Sequence, residues 1–227
     1  MPLPRSTDGC RFAPIVALDD GALGRSLFGH EVAIDGEAHV RLIGAIDALL
    51  AARQAHPERR PAALMVPMTL YELERVDVGS LAAMLAPAGI PPEALMIRVP
   101  SYTAGTPAPA LERVAAAGVT VVVGDLFVPA GTRGLLAGAP IDVIELPPAL
   151  VDDLDRTPAR SYLVDEWLAL AHGVDWLVLA RDVRRPAQAD VLQRLGCDLA
   201  AGPLMAAAVA PGHVATGVRL RGAALVG

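Results

Sequence analysis

The feature that most constrains this chain is an alternation: short apolar, β-branched runs recur between helical segments along most of its length. A hairpin opens the series. Arg11–Leu18 (RFAPIVAL) and Ser26–Ile34 (SLFGHEVAI) flank Asp19-Asp20-Gly21, a turn signal, and read as an antiparallel pair. Six more strands follow at Ala63–Met68, Leu95–Val99, Val119–Val123, Asp142–Leu146, Trp176–Ala180 and about Asp198–Ala201. Helices are read at Gly36 to about Gln54, Leu81–Leu85, Ala108–Ala117, a small Gly-rich one around Thr132–Ala137, about Ala159–His172 and Pro186–Leu195. Each crossover helix returns the chain to the same edge, which makes the sheet parallel. Eight strands in 227 residues predict an α/β barrel of TIM type in one domain, 1–227, with a core of about 11–205 and a tail at 206–227.

One stretch brings this architecture to chemistry. In Ala115–Pro129 (AAAGVTVVVGDLFVP), Gly118 stops an Ala-rich helix and Val119–Val123 reads as a strand buried on both faces. It opens onto a loop at Gly124-Asp125. Polar residues at the carboxyl ends of barrel strands are where such folds place their chemistry, so Asp125 is the first candidate.

Composition narrows the function classes. The 19 basic residues are all arginine, and neither lysine nor asparagine occurs. A Schiff-base lysine, an asparagine metal ligand and an N-glycosylation site are therefore excluded. A net charge of −6 argues against a nucleic-acid partner. Two cysteines, Cys10 and Cys197, make neither a disulfide framework nor a cysteine zinc site. The N-terminus lacks a signal-peptide core, and the greasy stretch Leu199–Ala210 is broken by Gly202 and Pro203. The expectation is a soluble, cytoplasmic, bacterial protein with no membrane partner.

Several blocks, taken in order, resemble the EAL-type cyclic-di-GMP phosphodiesterase domains. They are Phe12–Val16 (FAPIV), Gly29–Ala33 (GHEVA), Val66–Leu73 (VPMTLYEL), Leu95–Tyr102 (LMIRVPSY), Gly118–Phe127 (GVTVVVGDLF), Ala139–Leu146 (APIDVIEL) and Val178–Val183 (VLARDV). Leu192–Gly202 (LQRLGCDLAAG) is the clearest. The resemblance implies a (β/α)8-like barrel whose first strand runs antiparallel to the rest, in keeping with the hairpin. It also implies a mouth where carboxylates and an asparagine hold two divalent metals, which clamp a phosphodiester and generate hydroxide.

Position by position, the resemblance implies that this equipment is largely replaced. The Glu that names the family matches Glu31, within EVA. The asparagine ligand falls at Pro67, the next strand's Glu at Arg98, and the first of two aspartates at Gly124, leaving Asp125 as the second. The family lysine falls at Glu145, later glutamates at Arg181 and Arg184, and a late glutamine at Ala201. The loop that gates metal binding and dimerisation is replaced by Val128-Pro129-Ala130-Gly131. Nucleotide-holding Gln and Arg positions fall at Ala13 and Asp35, which argues against cyclic-di-GMP. Guanidinium has no lone pair to offer a cation. The reading is thus a degenerate, non-catalytic domain with no cofactor and no metal, whose vestigial mouth positions are Glu31, Arg98, Asp125, Glu145 and Arg181. All five should face one mouth, with the arginines neutralising the carboxylates. Such a domain serves as a regulatory protein-interaction module in motility, attachment or transcription control, with an unidentified protein partner and a homodimer left open. A cyclic-di-GMP receptor or residual phosphodiesterase is the alternative.

The remaining polar residues read as structural. His30 should face away from Glu31 as a packed or surface residue, and His39, His56, His172 and His213 form no ligand pair. Asp152, Asp153 and Asp155 read as a solvated helix start, Arg181 with Arg184 and Arg185 as a small basic cluster, and Cys197 as packing.

Overall fold

The computed structural model describes residues 11–18, 25–33, 36–57, 62–128 and 133–205. The turn Asp19-Asp20-Gly21, Asp35, Pro129 to Gly131, Cys10, His213 and the tail 206–227 lie outside the described residues.

Eight strands close into a barrel in chain order: β1 (Arg11–Leu18), β2 (Arg25–Ala33), β3 (Ala63–Pro67), β4 (Leu95–Thr103), β5 (Thr120–Phe127), β6 (Val143–Glu145), β7 (Leu177–Ala180) and β8 (Leu199–Ala201). Strand β1 runs antiparallel to both of its neighbours, β2 and β8, and every other neighbouring pair is parallel. The expected EAL-type barrel with one reversed first strand is the observed fold. Its register slips once, between Ile15 and Val16, where β1 meets β2.

The strands alternate strictly across two apolar layers. Ile15, Met65, Met96, Val122, Val143, Leu179 and Leu199 fill the barrel interior. The intervening residues, among them Leu64, Ile97, Val121, Val123, Ile144 and Val178, pack outward against the helices. A strand that is apolar at every position is what burial on both faces requires.

The helices are α1 (Ala38–Ala55), α2 (Leu70–Leu73), α3 (Val78–Ala82), α4 (Pro109–Ala116), α5 (Pro148–Asp152), α6 (Pro158–His172) and α7 (Pro186–Leu195). Four of them, α4 to α7, open on a proline, whose missing N–H costs nothing in the first turn. Gly118, at φ +73°, turns the chain from α4 into β5 as its position predicted. Helices α2 and α5 are additions to the sequence reading; both are too short to show a helical period. Helix α2 is fixed by a capping box. Thr69 Oγ1 accepts from Glu72 N at 3.2 Å, and Glu72 Oε2 accepts from Thr69 N at 2.7 Å. The same Glu72 binds Arg41 of α1 at 2.6 Å, tying α2 to its neighbour.

Candidate functional site

Strand parity decides which side chains meet at the barrel mouth. Met96 points inward on β4, so Arg98 does as well; Val143 and Leu179 likewise set Glu145 and Arg181 facing in. Glu31 sits opposite Ala13 in the β1–β2 register, and Pro67 beside Arg98 between β3 and β4. Gly124 follows Val122 on the inward side of β5. Ala201 closes the ring on β8.

Four charged side chains form one continuous chain of contacts across this ring. Arg181 grips Glu31 with both ends of its guanidinium, Nη2 to Oε2 at 2.7 Å and Nη1 to Oε1 at 3.1 Å. Its Nη1 also reaches Glu145 Oε1 at 3.0 Å. Arg98 grips Glu145 from the other side, Nε to Oε1 and Nη2 to Oε2, both at 2.6 Å. Two forks and two carboxylates therefore balance with no charge left over. Glu145 is 5% exposed, and its partners are a fifth to a quarter exposed. Burial alone would weaken the Arg181 proton, but Glu31 and then Glu145 outweigh it and raise its pKa above an already high value.

Asp125 does not join them. It is exposed and forms no ion pair with Arg98 or Arg181, contrary to the expectation that it faces the arginines. The reason is parity: with Val122 inside, residue 124 points in and residue 125 does not. A run of five apolar residues carries no alternation from which this could be read.

The loop after β7 is held through Val183 and Arg185. Val183 N donates to Ala201 O and its carbonyl accepts from Leu204 N, both at 3.0 Å. Arg185 forks onto Asp155 at 2.6 and 2.9 Å. Sequence reasoning missed Gln188, which is fully buried. Its amide N–H groups serve the carbonyls of Val151 and Asp152, and its Oε1 accepts from Arg184 N and Arg185 N, all four at 2.7–2.9 Å. Only its place three residues into a proline-led helix could have marked it as a cap. The acidic trio is accordingly not a helix start, although Asp152 stays exposed and Asp153 about half exposed. Asp152 ends α5, and Asp155, nearly buried, is held ionised chiefly by the Arg185 hydrogen bond. The basic cluster disperses too: Arg181 enters the mouth, Arg185 joins Asp155 and Arg184 stays exposed. His30 is buried, with its pKa lowered to about 4 by burial, so it is packed rather than at the surface. Cys197 is buried as well, and burial pushes its thiol up to about 12, which leaves it inert.

The EAL domain family matches residues 41–208, from α1 to just beyond β8. The chain belongs to the EAL domain family. Glu31 precedes the matched stretch and is placed by the barrel instead. The EAL domain of Mycobacterium smegmatis DcpA superposes with a TM-score of 0.70 at 21% identity, over 89% of this chain and 93% of that one. The Xanthomonas citri FimX EAL domain, solved in complex with c-diGMP, gives 0.69 at 16%, over 89% and 88%. The EAL enzyme Bd1971, in its cAMP- and cyclic-di-GMP-bound form, gives 0.70 at 17%, over 89% of this chain but only 62% of its own. At these identities the similarity is one of fold. An uncharacterized protein of Azorhizobium caulinodans is 30% identical over 105 residues, 46% of this chain and 14% of its own length.

The metal pair that EAL resemblance implies does not fit the residues of this mouth. All four carboxylate oxygens of Glu31 and Glu145 already accept from guanidinium groups. Among the described residues no group of three or more His, Cys, Asp or Glu is placed to hold a metal ion. No described helix is long and apolar enough to cross a membrane.

Proposed function

We propose that this EAL domain is a non-catalytic regulatory module of cyclic-di-GMP signalling that works by binding another protein. The reading is carried by one observation: at the mouth, Glu31, the carboxylate that would hold metal, holds Arg181 instead, and Arg98 and Arg181 share Glu145 where the resemblance places a lysine. Hydrolysis of a phosphodiester in this family's manner needs a cation to polarise the phosphate and a water made acidic by it. A fixed guanidinium can bind phosphate but lowers the pKa of no bound water. The protein-binding half draws on the apolar side chains left in solvent, Tyr162 and Leu163 on α6 and Phe127 at the end of β5. A bacterial protein partner in motility, attachment or transcription control is the class of role that fits.

Incubating the protein with cyclic-di-GMP and Mg²⁺ or Mn²⁺ tests the first half, and turnover above a metal-free control overturns it. Affinity capture from the native cell tests the second, with loss of a captured protein on Tyr162→Glu as the supporting result. The reading of the domain as a cyclic-di-GMP receptor is kept because FimX, a structural relative, was solved with that nucleotide. Calorimetry separates the two: micromolar binding by this chain would make it a receptor, even with no turnover.

A further inference from the structure

Arg98 and Glu145 are not on neighbouring strands. Strand β5 lies between β4 and β6, so the Arg98 guanidinium must pass over an inward position of β5 to reach Glu145. That position is Gly124. A Cβ there would lie 3.0 Å from Arg98 Nη2 and 2.4 Å from the backbone oxygen of Pro100. The second distance is closer than any real Cβ contact, and it is to main chain, which cannot swing aside.

We propose that Gly124 is the seat of a clamp across the barrel mouth: it leaves a slot that Arg98 occupies, so a side chain at 124 must displace the Arg98 guanidinium from its seat on Glu145 as well as the Pro100 carbonyl. The clamp strings β4, β6, β7 and β2 together through Arg98, Glu145, Arg181 and Glu31, and β4 leans over the slot through Pro100. Closure therefore lies in the backbone as well as in the side chains. A carboxylate at 124 would therefore crowd Arg98 against Glu145, which is 5% exposed, and clash with the Pro100 carbonyl before it could serve a metal. This rests on the non-catalytic reading only in taking the arginines as the permanent occupants of the mouth.

A thermal-unfolding cycle tests it with Gly124→Ala, Arg98→Met and the double variant. Gly124→Ala should lower the melting temperature by about 5 °C or more in the native background. In the Arg98→Met background the loss should be smaller, because only the Pro100 contact remains. Equal losses in the two backgrounds would overturn the proposal. Should Gly124→Ala not fold, NMR of the unaltered protein decides. The Arg98 Nε–H, assigned by its disappearance in Arg98→Met, should exchange with water far more slowly than that of exposed Arg194. Exchange as fast as Arg194 refutes the clamp. Failure of the coupling without any cyclic-di-GMP turnover sinks the clamp alone, whereas turnover with the coupling intact sinks the functional reading alone.

Discussion

The two ends of this barrel use carboxylates in opposite ways. At the mouth, Glu31 and Glu145 are paired with side chains that are themselves charged, and the four groups depend on one another. At the other end, Asp142 and Asp198 serve main-chain N–H groups, Asp198 with the His172 ring beside it. Asp142, just ahead of β6, accepts from Val121 N on β5 at 2.7 Å. Asp198, just ahead of β8, accepts from Val178 N on β7 at 2.8 Å. Each thus ties the start of its own strand to the strand before it. The lesson is that a charge at the mouth is needed because its partners are charged, while at the foot only a hydrogen-bond acceptor is needed.

Removing the central arginine should break the mouth hardest. Arg181→Met leaves Glu31 with no fork and Glu145 with one, and uncompensated charge in a partly buried site costs about 3–5 kcal/mol. Urea unfolding reads this directly. Arg181→Lys should recover only part of the loss, since an ammonium cannot grip two carboxylates in a plane. A loss below about 1 kcal/mol would reduce the network to a surface ion pair, and the contrast with the foot would disappear.

Acid offers the next largest effect, and it separates the mouth from the layer beside it. His30 neighbours Glu31 on β2 but packs on the outer side, buried, with its pKa lowered from 6.5 to about 4. The unfolded chain therefore binds a proton that the folded one refuses between those values, so stability falls as pH drops through this window. The loss at its lower end is about 3 kcal/mol. In His30→Leu, stability followed by denaturant titration from pH 7 to pH 4.5 should lose most of this slope. If the slope persists in that variant, His30 is not its source.

Much of this division was legible before any coordinates. Eight strands, the antiparallel first hairpin and the proline-led helix at Pro186 follow from period, turn residues and punctuation, because those signals are local. The inward set Arg98, Glu145 and Arg181 came from the ordered EAL-like blocks. Asp125 was misplaced because Val119–Val123 is apolar at every residue, and parity in a doubly buried strand is settled by the neighbouring strands. The foot was invisible for a related reason. Asp142 and Asp198 bond to backbone N–H groups of other strands, and a backbone donor leaves no mark on the residue that owns it. The slot at Gly124 depends on how closely Pro100 approaches, a distance that no spacing encodes.

Smaller changes at the foot sharpen the comparison. Asp198→Ala removes the acceptor for Val178 N and the His172 contact at 2.9 Å together, at about 1–3 kcal/mol. Asp142→Asn should do almost nothing. Its amide oxygen can take the Val121 N–H that the carboxylate took, and no cation is bonded to Asp142 that would miss the charge. The expected change is within about 0.5 kcal/mol, the range of a surface substitution. Glu145→Gln, an equally conservative exchange at the mouth, should cost several times more, because it leaves Arg98 and Arg181 sharing one carboxylate where they had two. Equal effects from the two amide substitutions, measured side by side in urea, would mean that charge matters no more at one end than at the other. The mouth would then be only a second set of acceptors, and Arg98 and Arg181 ordinary donors to it.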